Sequence, residues 1–180
     1  MLKVKNFILI IIYSIIIAGV SGIIHDQITY TISYEYYWLF KFEQFGIPPS
    51  RLNPKIKAAI VGLLATWWVG LLLGIIYASI SLFLDKQKVL KVTFKSIFLN
   101  ICITIIFGFF GFLFGNIFLR AENLNWFIPP QTKNVQDFIN VGSIHNFGYI
   151  GSLVGLIIGI NYQIKKSKIR SITSHLQNPN

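Results

Sequence analysis

Apolar residues fall along this chain in four long runs, at 7–24, 56–83, 96–118 and 143–163. Polar residues, prolines and aromatics collect between them. The first run reads FILIIIYSIIIAGVSGII and holds no charge. A helix of about 20 apolar residues, rising about 1.5 Å per residue, crosses the hydrocarbon of a bilayer. The pattern therefore predicts an all-α fold: an integral membrane bundle of four transmembrane helices. It predicts one transmembrane domain over 1–170 and a polar tail over 171–180. Lys3 and Lys5 precede the first run, as they would in a signal peptide. The small-residue cleavage pattern around 18–22 is poor, so a retained helix is expected.

The first connection is richer than a linker. Residues 27–32 are β-branched and read as either extended or helical. Ser33 is placed to cap a helix, with Glu35 in its first turn beside free N–H groups. Trp38, Phe42 and Phe45 follow at helical spacing. The expectation is a short interfacial or re-entrant helix over 34–45, ended by Gly46 and the Pro48–Pro49 pair. A strand reading stays open. Asn53 and Pro54 suit the start of the second span. A basic connection, DKQKVLKVTFK, covers 85–95. In 120–141, Trp126 and Phe127 read as an interface anchor, and Asn134 with Asp137 as the cap of a short helical piece.

Composition agrees with the pattern. Hydrophobic residues make up 54% of the 180 and charged residues 12%, against about 25% in soluble domains. The net charge of +10 raises nucleic acid as a partner. Its distribution argues for topology instead, because ten of the 16 basic residues flank the apolar runs on one side. These are Lys3, Lys5, Lys86, Lys88, Lys91, Lys95, Lys165, Lys166, Lys168 and Arg170. The other side carries six basic residues and five of the six acids. The positive-inside rule then puts both termini in the cytoplasm. The single cysteine, Cys102, excludes an internal disulfide and a cysteine-cluster metal site.

Association in lipid rests on close fit, so small residues at four-residue spacing mark packing faces. Gly70 and Gly74, Gly111 and Gly115, and the doubled Gly151, Gly155 and Gly159 have that spacing. The last helix is expected to pack centrally, against the Gly111–Gly115 face or against its own copy in an oligomer.

Topology brings His25 and Asp26 at the end of the first run, Glu35 just after it, and His145 at the start of the fourth to one membrane face. Two imidazoles and carboxylate oxygens could hold zinc, iron, manganese or copper. Asn146, Tyr149, Ser152 and Tyr34 are candidates to support those ligands. The tyrosines at 30, 34, 36 and 37 read as interface anchors, and His175 as a surface residue of the tail. No HExxH or ExxH pair is present, and neither is a phosphate-binding loop or a GxSxG elbow. Haem between His25 and His145 would splay a bundle that the glycines draw together. Two other readings use the same residues: a permeation subunit acting as a homo-oligomer, and a structural or assembly subunit of a larger membrane complex. Whether the chain is an enzyme stays open.

The run HDQITYTISYEYYWLFKFEQFG, with HNFGYIGSLVG later, resembles a group of uncharacterised bacterial multi-pass inner-membrane proteins. In that group a proline is expected where Tyr34 stands. The resemblance implies a bacterial cytoplasmic membrane as the location. It marks His25, Asp26, Glu35 and His145 as positions to test and implies no activity.

Overall fold

The computed structural model describes residues 2–84 and 89–177, without the side chains at 2 and 167–177. The middle of the basic connection, 85–88, and the side chain of His175 lie outside the described residues. The described chain is helical and contains no strand. Helix α1 runs Leu2–Ile32. A short bent segment follows, made of α2 (Tyr34–Tyr36), a π turn (Tyr37–Lys41) and α3 (Phe42–Gln44). Helices α4 (Pro54–Ser81), α5 (Val89–Phe118) and α6 (Val135–Gln177) complete the order, with a 3-10 turn at Ala121–Asn123. Four segments are long and apolar enough to cross a membrane: Lys3–Ile32, Pro54–Ser81, Val89–Phe118 and Val135–Lys166.

The helices outrun the apolar runs that announce them. Residues 27–32 are helical, which settles the open choice there. Thr29 and Thr31 bond back to the carbonyls of His25 and Gln27, so their hydroxyls stay satisfied within the helix. The expected short piece at Asn134 and Asp137 is instead the first turn of α6, which continues without a break. At the other end α6 extends through Gln177, into the stretch read as tail.

The caps follow from local chemistry. Ser33 Oγ accepts from the Tyr36 N–H at 3.2 Å, and Asn53 Oδ1 accepts from the Lys55 N–H at 2.9 Å. The bent segment ends in a Schellman turn. Gly46 takes φ +62°, the Gly46 N–H donates to the Glu43 carbonyl at 2.9 Å, and the Ile47 N–H donates to the Phe42 carbonyl at 2.8 Å.

The bundle is two close antiparallel pairs. In the first, a Cβ at Gly62 would overlap the Gly22 carbonyl, and Cβ atoms at Gly70 and Gly74 would press on Ser14 and its neighbours. Thus α4 lies directly on α1. Lys3 Nζ to the Leu82 carbonyl and Gln27 Nε2 to the Lys55 carbonyl, both 2.9 Å, tie the two ends of this pair. In the second pair α5 lies on α6. Gly111 receives Phe147, Gly115 receives Asn140 and Ser143, Gly151 receives Phe107, and Gly155 receives Asn100. The glycines do not face one another, contrary to the expectation for the last helix. Each faces a larger side chain or backbone on the partner, because the two small-residue stretches lie at different heights along the seam.

Two cores join the pairs. One, near the termini, is Ile10, Tyr77, Ala78 and Ile97, with Leu156 and Ile160 packed against it. The other is built around the bent segment, whose Tyr36, Tyr37 and Phe42 are buried with Ala58 and Val61 of α4 and Phe138 and Val141 of α6. The segment is therefore a wedge driven between α4 and α6. This corrects the interface-anchor reading of Tyr36 and Tyr37. The π turn, with the Phe42 N–H reaching the Tyr37 carbonyl, adds a residue to the turn that follows Tyr36. Tyr34 and Trp38 stay about half exposed. Trp126 lies over Gly142, while Phe127 is exposed.

Candidate metal centre

The site lies between the two cores, where α1 faces α6 beneath the wedge. Continuing α1 past Ile24 carries His25 and Asp26 on helix rather than at its end. Running α6 from Val135 puts His145 in its third turn. The His25 and His145 rings meet edge to face, centroids 4.7 Å apart at 64°. One ligand atom from each of His25, Asp26 and His145 lies within 4.8 Å of the other two. Asp26 is 3% exposed, and both histidines are half-buried.

Three polar atoms of this group have no partner. His25 Nε2, Asp26 Oδ2 and His145 Nε2 are buried without a hydrogen bond. A buried polar atom left unpaired costs about 1–3 kcal/mol, and three together at one point need a reason. A shared cation would satisfy all three. Two imidazoles and a carboxylate suit zinc or ferrous iron and leave further positions free.

Glu35 does not belong to the group. Its Oε1 accepts from the Lys133 N–H at 3.1 Å and its Oε2 from the Asn134 N–H at 2.8 Å. Both oxygens are used where the chain enters α6, so Glu35 holds the wedge to that helix. Asn146 and Tyr34 are exposed, Tyr149 is 56% exposed, and Ser152 is half-buried. None of the four bonds to the cluster.

Other residues surround it. Tyr36 stacks on His145, centroids 5.4 Å apart at 14°. The Tyr37 hydroxyl lies 2.6 Å from Thr29 Oγ1 and faces Asp26. Burial pushes the Tyr37 phenol well above its ordinary range, and the negative charge of Asp26 pushes it further. Burial likewise raises Tyr36. Both phenols stay protonated at neutral pH and can donate a hydrogen bond. Lys41 is 8% exposed, donates to Gln44 Oε1 at 2.8 Å, and lies 5.3–5.7 Å from the Tyr36, Phe40 and Phe45 ring centres. Burial lowers its pKa while the charge of Asp26 pulls the other way. Thr29 falls on the His25 side of α1, four residues on, and that spacing is readable once residues 27–32 are taken as helix. Tyr37 and Lys41 are the buried residues of the π turn, which has no sequence signal of its own, and Tyr36 precedes it.

Fold and site fit a small multi-pass membrane protein with a His/Asp group that could hold a metal. No family model, curated protein or solved structure matches the chain.

Proposed function

We propose that this chain is a metal-binding membrane protein, with His25, Asp26 and His145 as the ligands. The observation that carries the reading is the convergence of three side chains, two imidazoles and one carboxylate, each with a buried polar atom that has no partner. A structural network would pair these atoms with protein groups, and none of the three is so paired. Three protein ligands would leave a bound metal room for water or another ligand, as in catalytic rather than closed structural sites. The Tyr37 hydroxyl, held by Thr29, faces the Asp26 carboxylate, and Tyr36 holds the His145 ring by stacking. The charge bias of the connections supports an extracytoplasmic site with both termini in the cytoplasm, and the resemblance of the first connection to bacterial multi-pass proteins supports a bacterial inner membrane.

Cobalt(II) titration into chelator-treated protein tests the ligand set. Visible absorption bands of a four- or five-coordinate ion are expected in the native chain and in Glu35→Gln. They are expected to vanish in His25→Ala and His145→Ala. Retention of the bands in both histidine variants would contradict the assignment.

A further inference from the structure

The group between the helix pairs is not covered equally on all sides, although its unpaired atoms are buried. Towards the wedge it is roofed by Tyr36, Tyr37, Phe138 and Val141, of which Tyr37 and Val141 are wholly buried. Towards the termini it is closed by the core of Ile10, Tyr77, Ala78 and Ile97. Between these, α6 carries Gly148 and Ser152 three and seven residues after His145, on the same side of the helix. Helix α1 carries Ser21 four residues before His25. A Cβ at Gly148 would meet nothing within 4 Å, whereas one at Gly151 or Gly155 would strike Phe107 or Asn100. Ser21, His25, His145, Gly148 and Ser152 are all half-buried, so residues on this side reach the surface of the bundle while the unpaired atoms lie just beneath it.

The flanking surface has two characters. Ile24, Ile28 and Leu153 are exposed and apolar, as a lipid face requires. Asn146 and Tyr149 are exposed beside them, within one turn of His145. Asn146 offers an amide and Tyr149 a phenol at that point, both able to hydrogen-bond a polar group.

We infer that this lateral opening admits the substrate of the metal centre, and that the substrate is a bilayer amphiphile. Its chain lies against Ile24, Ile28 and Leu153, and its polar head meets Asn146 and Tyr149. Over Gly148, where no side chain intervenes, the head would approach a metal held by His25, Asp26 and His145. A water-soluble substrate would have to pass the buried aromatic roof. The inference rests on the metal reading above, and its test keeps the two apart.

The experiment uses the full chain in phosphatidylcholine vesicles doped with a phosphatidylcholine whose acyl chain bears a diazirine near the glycerol. Adducts are mapped by mass spectrometry after illumination, and metal content is measured on the same sample. Adducts are expected to concentrate on 146–153, several-fold above the exposed Phe109–Phe110 and Ile157–Ile158 surfaces. Gly148→Leu is expected to fill the opening and return that labelling to the general level while the metal stays bound. Ser152→Phe, which narrows the same opening one turn along, should act alike if Gly148→Leu folds poorly. Labelling spread evenly over all exposed helix faces would overturn the inference, as would labelling that both variants leave unchanged. Concentrated labelling on a metal-free protein would instead retain the opening and remove the metal from it.

Discussion

At the scale of residues, the His/Asp group and the wedge lysine set opposing electrostatic demands. Lys41 is a buried cation without a carboxylate in salt-bridge contact, held by three rings and one amide. Burial, the larger influence, lowers its pKa. A lysine with a lowered native pKa is a net liability while both states are protonated, and the liability fades as pH rises through the native value towards the unfolded one. Lys41→Met should therefore melt higher than the native chain at pH 7, by about 2–4 °C for each kcal/mol gained. The gain should shrink as pH approaches about 10. A constant difference in thermal melts across that range would contradict the account. Tyr77 makes a simpler case. Its hydroxyl is the partner of Asn100 Nδ2, at 3.3 Å, on a buried face. Tyr77→Phe should cost about 0.6 kcal/mol and no more than about 1.7, the average and the upper value for interhelical hydrogen bonds in membranes, and a melt in mild detergent can read it.

At the scale of elements, the wedge and the glycine seams explain both what the sequence shows and what it hides. The four spans, the Ser33 and Asn53 caps and the Gly46 stop are local matters of period and cap chemistry, and each is readable from a few neighbouring residues. The extension of α1 through Ile32 is not. A β-branched stretch such as ITYTI favours strands in water, but within an apolar bundle a helix is the form that satisfies its own backbone. The role of Glu35 is equally hidden, since its partners Lys133 and Asn134 lie about a hundred residues away in the chain. Pairing His25 with His145 needs only topology, and so was legible, whereas the exclusion of Glu35 from the group was not. Glu35→Gln keeps one acceptor and loses the charge, so hydrogen exchange over 34–44 should quicken by about tenfold or more, from the roughly 1.5–3 kcal/mol carried by a charged hydrogen bond. Unchanged protection there would count against the latch. The seams predict a contrast between two glycines. Gly62→Leu would drive a side chain into the Gly22 backbone and should prevent the α1–α4 pair from closing, read as loss of folded protein on size exclusion. Gly148→Ala, facing open space, should elute and melt like the native chain.

At the scale of the whole molecule, the arrangement is two tight pairs with a polar group held between an aromatic core and an aliphatic one. Among the described residues, the buried polar groups towards the termini are paired with one another, Asn100 with Tyr77 and Gln163 with Thr93. Asn116 and Asn161, the polar positions that could have extended a path, are exposed on the outside of the bundle, and Asn100 is buried against Tyr77. Between the His/Asp group and the termini lies the apolar core of Ile10 and Ile97. Proton and potassium flux through vesicles carrying the chain should therefore equal that of empty vesicles. The glycines at 62, 70, 74, 111, 115, 151 and 155 all abut other parts of the chain. They build the pairs from within, so an oligomer would have to use another face. The central claim is that three convergent side chains hold an ion. The most direct measurement is elemental analysis of the chain, purified from membranes without a histidine tag, added metal or chelator. The account predicts a stoichiometric transition metal in the native protein and none in a folded His145→Ala variant. A well-folded native protein free of metal, or a His145→Ala variant that keeps it, would contradict the account.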